Sequence, residues 1–411
     1  MRKTIVAILV VLMAPLMLFS ADKKIELEAL VWKQDAVPTF QAWSKEFNKI
    51  HPNVTVTYSG IGDYEAQIRG RLAAGTLPAV IFIPGGNYGF VLPKAGVILD
   101  ITDQKFLNRV KDGILQSERF NGRIYSMPVD LAAQGFIYNK KVFADAGVRQ
   151  VPRTWDEVYA ACEKIKAIGV TPLLVTGGDA WSLGMIGMTI ATPFVYGRNP
   201  NFDMDVINGK AHFTGPEWTQ AMAVFSKLLK YSNEDTTDLK VELGYQMVAT
   251  GKAAMVINGT WAVTAMMSFN KDIQLGFFPT PSPNGKPSNF IFGCDTTVGV
   301  NAKHPDKDMA LKFVEWLSTD TAVNLWTDMG HIYSAMKGSH LTFDPVAVEV
   351  GKVVDAGWKP YPLVNHMWFE PNVWLDWSQT LELFVEGSKP ASDSQTNLEN
   401  LVIEAYKVYT K

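Results

Sequence analysis

The chain has 411 residues, 47% hydrophobic, 19% charged and 11% aromatic, an ordinary globular composition whose length points to two domains rather than one. Its formal charge is −3, and Arg2 and Lys3 fall in a segment that processing would remove, so the remainder is more acidic still and a nucleic-acid partner is argued against. Cys162 and Cys294, far apart in sequence, give no disulfide framework, and Cys162 falls on an apolar helix face as a small core residue.

Residues 1–21 read as a cleavable secretory signal peptide. Arg2 and Lys3 form its charged start, Thr4 to Phe19 its apolar run and Ser20-Ala21 its cleavage site. The rival reading is an uncleaved N-terminal anchor. No cysteine stands at the cleavage site, so a lipoprotein is not expected and the periplasm is. No later stretch is long and apolar enough to span a bilayer.

Ile25, Leu27, Ala29 and Val31 alternate with mostly polar neighbours as a half-buried strand, ending at Trp32-Lys33-Gln34-Asp35. After Pro38, the residues Phe40, Trp43, Phe47 and Ile50 keep helical spacing, and His51-Pro52-Asn53 stops that helix. Val54, Val56 and Tyr58 alternate as a second strand; Gly60 to Asp63 is a loop; Tyr64, Ile68 and Leu72 mark a second helix; Ala79 to Ile83 is an apolar third strand. Strand–helix–strand–helix–strand means a parallel sheet with covering helices, and its strand ends carry three loops to one edge. Those loops hold Trp32 to Asp35, Gly60 to Asp63, and Gly85-Gly86-Asn87-Tyr88.

Thr154 and Glu157 form a capping box before a helix ended by Gly169. A buried strand and a Gly177-Gly178 turn then lead to Trp181. Trp218, Met222, Phe225 and Leu229 make a core stripe. In 245–261, Gly251 stops a helix, Ala253 to Ile257 is a strand covered on both faces, Asn258-Gly259 turns the chain, and Trp261 follows the strand end, where open α/β sheets place ligands. Ile273 to Phe278, Phe290 to Phe292 and Val298 to Val300 read as further strands, and Pro305 opens a helix with Ala310, Phe313, Val314 and Leu317 inward. The tail ends in two helix-like stretches around Trp358, Trp368, Phe369, Trp374 and Trp377.

The motif GKAAMVINGTW resembles the signature of family 1 extracellular solute-binding proteins, the maltose-binding-protein-like sugar receptors of ABC importers. The segments HPNVTVTY, LAAGTLPAVI and GRIYSMPVDLAAQGFIYNK extend the resemblance over nearly the whole chain after residue 25. It implies an α/β, two-lobed periplasmic-binding-protein fold of type II, each lobe a mainly parallel sheet with helices on both faces, joined by three hinge crossings. On that pattern the N-terminal lobe is 22–129 plus 298–329, and the C-terminal lobe is 130–297 plus 330–411.

The same resemblance implies a sugar cleft lined by the three N-terminal loops, with Trp32, Gln34, Asp35, Asp63, Gly86 and Asn87. Asp130, near the first crossing, and Asp295, near the second, would accept hydrogen bonds from sugar hydroxyls, and His331 lies at the third. Trp181, Trp261 and Trp374, with Trp377 one turn on, would stack on sugar rings. The sequence departs from the family pattern at Val80, at Cys294-Asp295 and at 330–335, where a usual proline is absent. Trp181 and Trp261 also read as plain core residues, Asp130 as a hinge residue capping a backbone N–H, and His331 as a satisfied interior histidine.

Flat aromatic faces match the C–H patches of a sugar, and Asp, Asn and Gln match its hydroxyls. The expectation is therefore a monomeric receptor that closes on a carbohydrate, most simply an oligosaccharide, and delivers it to inner-membrane permease subunits, with no cofactor. Two rivals stand beside it: a polyamine or other small-solute receptor on the same fold, and a glycoside-processing enzyme using Asp130 and Asp295. No P-loop or nucleophile elbow appears, and the histidines lack metal-ligand spacing.

Overall fold

The computed structural model describes residues 23–33, 36–60, 64–85, 91–330, 333–339, 345–362 and 371–410. The signal-peptide segment lies outside them. The described strands are β1 (Ile25–Leu30), β2 (Val54–Ser59), β3 (Val80–Pro84), β4 (Arg119–Phe120), β5 (Arg123–Ile124), β6 (Ser126–Asn139), β7 (Thr171–Leu174), β8 (Ala253–Gly259), β9 (Leu275–Phe278), β10 (Asn289–Val300), β11 (Tyr333–Ser334) and β12 (Lys359–Tyr361). Ten of them form one sheet whose main order is β2-β1-β3-β10-β6-β8-β7. The fold is the expected two-lobed α/β architecture with helices flanking the sheet, but the sheet is mixed rather than mainly parallel, because β6 and β10 run antiparallel to each other and to their neighbours β3, β8 and β9.

In the N-terminal lobe β1 pairs in parallel with β2 and β3. Phe40, Trp43 and Phe47 bury one face of the helix Val37–Ile50 because they recur at three- and four-residue spacing. Trp43 stacks on Trp326 at 4.9 Å and donates to the carbonyl of Ala322 at 2.9 Å. The late helix Asp320–Gly330 is thereby fastened to the first lobe.

In the C-terminal lobe β7 and β8 run parallel. The helix Trp155–Ala167 starts at the predicted capping box, with Thr154 Oγ1 accepting from the Glu157 amide at 3.2 Å. Trp218, Met222 and Phe225 are buried as expected. Cys162 and Cys294 are free and buried.

Two strands belong to both lobes. The first part of β6 pairs with β10, and its second part pairs with β8 and β9. The sequence pattern splits 289–300 into two strands around Gly293 to Thr297, whereas the chain stays in one strand there. Register shifts between Cys294 and Thr296 and between Thr296 and Thr297 absorb the irregular sequence, as β-bulges do, while pairing to β6 continues on either side. The third crossing adds β11, with Ser334 opposite Asp130.

Candidate functional site

The C-terminal ends of the parallel strands β7 and β8 lie side by side, and each delivers a tryptophan. After β7, the amide of Gly177 donates to the carbonyl of Thr236 at 2.8 Å and that of Gly178 to Leu239 at 3.1 Å. A Cβ at Gly178 would sit 2.3 Å from the Asp238 oxygen, so the paired glycines are required by close backbone approach. The Asp179 side chain then accepts from the Val241 amide at 2.8 Å, and Trp181 starts the helix Ser182–Ala191.

After β8, Thr260 donates its amide to the Ala133 carbonyl at 2.9 Å and accepts from the Ala133 amide at 3.2 Å through Oγ1. That pins the backbone before Trp261. Gly259 is the last residue of β8 rather than part of a turn. A Cβ there would fall 2.2 Å from the Trp261 ring, so the glycine exists to let the indole lie across the strand end.

The third tryptophan comes from the helix Pro371–Val385. Trp374 Nε1 donates to the Trp181 carbonyl at 3.2 Å, and the Trp181 and Trp261 rings meet edge to face at 6.4 Å and 66°. The three rings are half-buried. Trp181, Trp261 and Trp374, drawn from stretches far apart in sequence, are thus brought together at one sheet edge. Trp377 is not part of that surface. It is 0% exposed and packs against Trp218 at 5.8 Å, so it is a core residue of the lobe, because one helical turn carries it to the inner side.

Trp32 lies half-buried at the end of β1, against the N-terminal lobe's own apolar cluster. Next to it stands a residue that sequence reasoning missed. Lys33 is 2% exposed, with its ammonium 2.5 Å from Asp295 Oδ2, 3.1 Å from Asp130 Oδ2 and 4.9 Å from the Trp32 ring centroid. Asp130 on β6 and Asp295 on β10 are 0% and 5% exposed. Both carboxylates are therefore held inside the strand junction by Lys33 rather than presented at an open surface, which corrects their expected place as hydroxyl acceptors.

Burial pushes the Asp130 carboxyl up, to about 7; the Lys33 ammonium opposes this and the Asp295 charge adds to it. Burial also pushes the Cys294 thiol well above the usual range. The only sequence signal for Lys33 is a lone cation at the tip of an apolar strand, which reads equally as a solvated lysine.

Gln34, Asp35, Asp63, Gly86, Asn87 and His331 lie outside the described residues. Two surface cavities, of about 230 and 520 Å³, lie on the C-terminal lobe and include none of the tryptophans in their walls. Among the described residues, no group of three or more His, Cys, Asp or Glu is placed to hold a metal, and no helix is long and apolar enough to cross a membrane.

Two lobes sharing two strands, with aromatic rings at the strand ends, define a class of two-lobed binding proteins. The chain belongs to the bacterial extracellular solute-binding protein family, whose sequence model matches residues 33–324, well over half of it. Among curated relatives, the multiple sugar-binding protein of Streptococcus mutans is 25% identical over 347 residues, covering 78% of this chain and 77% of the relative. The maltotriose-binding protein of Pyrococcus abyssi is 23% identical over 344 residues, covering 80% and 71%. Among solved structures, a chitin oligosaccharide binding protein superposes with a TM-score of 0.81 at 21% identity, covering 94% of this chain and 99% of that one. RafE in complex with raffinose follows at 0.77 and 21%, covering 92% and 99%.

Proposed function

We propose that the chain is an exported receptor that captures a carbohydrate, most simply an oligosaccharide, between its lobes by hinge closure and delivers it to the permease of an ABC importer. The observation that carries this reading is the convergence of Trp181, Trp261 and Trp374 as half-buried rings at the ends of two parallel strands. Stacked aromatic faces match sugar rings, and the relatives named for multiple sugars and maltotriose are in keeping with it. Trp32 supplies an aromatic surface from the other lobe. The polar contacts fall to Gln34, Asp35, Asp63, Gly86, Asn87 and His331. The lobes divide near residues 130, 298 and 330, residues 1–21 direct export to the periplasm, and the receptor works as a monomer.

The rival is a polyamine or other small-solute receptor on the same fold: the carboxylates at the strand junction are engaged by the ammonium of Lys33, and an amine ligand would have to use Asp35 and Asp63 instead.

The test is thermal unfolding of the mature protein with raffinose, maltotriose, chitotriose, monosaccharides and spermidine. A ligand at a hundred times its dissociation constant adds about 2.7 kcal/mol. A shift for one sugar series supports the reading; a shift with spermidine alone overturns it.

A further inference from the structure

The junction of the two lobes holds more charge than it neutralises. Lys33 brings one ammonium, Asp130 and Asp295 bring two carboxylates, and the three side chains are 2%, 0% and 5% exposed. Two carboxylates beside one cation, out of water, leave a negative charge that solvent does not screen. A proton held by the cluster removes that charge, and Asp130, the more deeply buried acid, is its seat.

The placement matters as much as the charge. Lys33 stands three residues beyond the end of β1, whose strand pairs are with β2 and β3 of the N-terminal lobe. Asp130 and Asp295 stand on β6 and β10, the strands that continue into the other lobe. Gly85, at the end of β3, donates its amide to the Asp295 carbonyl at 2.6 Å. A Cβ on Gly85 would lie 2.2 Å from the Cys294 carbonyl oxygen, so β3 and β10 touch backbone to backbone here. Asp295 also falls within the register shifts that bend β10. Two strand ends of one lobe therefore grip both shared strands at their irregular point.

Among the described residues, these groups face Asp130. The β1 end gives Lys33; β10 gives Asp295, the Cys294 thiol and the Thr296 hydroxyl. Glu118, after the helix Ile114–Ser117, acts on Cys294. β11 gives Ser334 opposite Asp130 and Tyr333 opposite Leu131.

We infer that Lys33 is the positioning residue of the hinge: its ammonium clamps the carboxylates of both shared strands to the end of β1, and the clamp is neutral only with one exchangeable proton on Asp130. The proton comes from water and returns to it, and no other bond changes. Raising the pH through neutrality leaves the junction with a net negative charge and loosens it. The sign follows from linkage: the folded state binds this proton more tightly than the unfolded chain does, so stability is lost as pH rises from the ordinary carboxylate range towards neutrality. For capture, which rests on the function proposed above, the lobes are then less well aimed at ligand.

The experiment compares the mature wild type with Asp130→Asn, Asp295→Asn and Lys33→Met. Ligand-free thermal unfolding is followed from pH 5 to 8, then fluorescence titration with raffinose, maltotriose and chitotriose at pH 6 and pH 8. The wild type is expected to melt progressively lower from pH 5 to neutrality and to level off above it. Each Asn variant, with one cation and one carboxylate left, is expected to lose that slope.

Sugar affinity of the wild type is expected to fall roughly three- to tenfold between the two pH values, and that of the Asn variants to hold. Lys33→Met, if folded, is expected to bind at least about tenfold more weakly at pH 6, although no tryptophan of the sheet edge is altered. A flat wild-type profile, or a slope that survives in both Asn variants, overturns the clamp, as does Lys33→Met with unchanged affinity. If no sugar binds at all, the proposed function fails, and the ligand-free profiles alone still decide the clamp.

Discussion

Gly259 and Trp261 are two residues apart in sequence and in contact in space. The indole of Trp261 occupies the volume that any side chain at 259 would need. Gly259→Ala is therefore expected to swing the ring away. Sugar affinity should fall by at least about tenfold, as for loss of an aromatic anchor, because the cleft loses that face. The strand itself should survive, since Gly259 has an ordinary extended backbone and a fully paired neighbour in Thr260. Isothermal titration with the sugar that shifts Tm, beside circular dichroism, separates the two effects; unchanged affinity would mean that the ring is not a ligand platform. Cys162, its thiol pushed up to about 12 by burial, and Cys294 should both stay silent to a thiol reagent until the protein is unfolded. At this scale the aromatic at a strand end is legible from pattern alone. Lys33 is not, because its meaning lies in partners 97 and 262 residues further along the chain, and no local period reports such a meeting.

The elements that carry the tryptophans are locked by small residues. The helix Ser182–Ala191 lies against the helix Pro371–Val385 through Gly184 and Gly187, where an added Cβ would come within 2.4 Å of Ser378 Oγ and 3.0 Å of the Trp377 ring. The Ser378 hydroxyl also accepts from the Gly184 amide at 3.0 Å, so it satisfies a first-turn donor of the neighbouring helix. Gly184→Ala should cost about 1–3 kcal/mol of stability through overpacking and should disturb Trp374, which lies beside the same glycine. Trp377→Ala should cost about 3–5 kcal/mol, seen as a lower midpoint in urea unfolding, because it empties a filled core position. A loss of ligand binding with stability intact would instead put Trp377 in the cleft. Helical spacing predicts that Trp374 and Trp377 share a face; it does not say where that face turns from surface to core, since this is set by the packing of Trp218 from another part of the chain. The long strand β10 was equally illegible, because Gly293 to Thr297 breaks the apolar pattern while bulges let the pairing run on.

At the scale of the whole molecule, the order of strands and helices in the first hundred residues was readable, since alternating periods of two and of three to four leave few topologies. The lobes' relation to each other was readable only through family resemblance, because the crossings carry no period of their own. If ligand draws the lobes together, small-angle scattering should show a smaller radius of gyration with saturating sugar than without it. An unchanged radius would argue for a cleft already shut before binding. Ligand can drive such closure only by its greater affinity for the closed form.

Because β6 and β10 are hydrogen-bonded to each other from residues 126 to 133 and 292 to 299, the two halves are leaves of one sheet rather than bodies on a string. Opening such a molecule does not require any ladder to be broken. It requires the paired strands to change their twist, which varies over a range between neighbouring strands of a sheet. The joint therefore behaves as a torsion spring, with its stiffness set by backbone pairing and its resting angle by the bulges at Cys294 to Thr297. If the chain closes on ligand as proposed, such a joint would return it to the same open angle after each release.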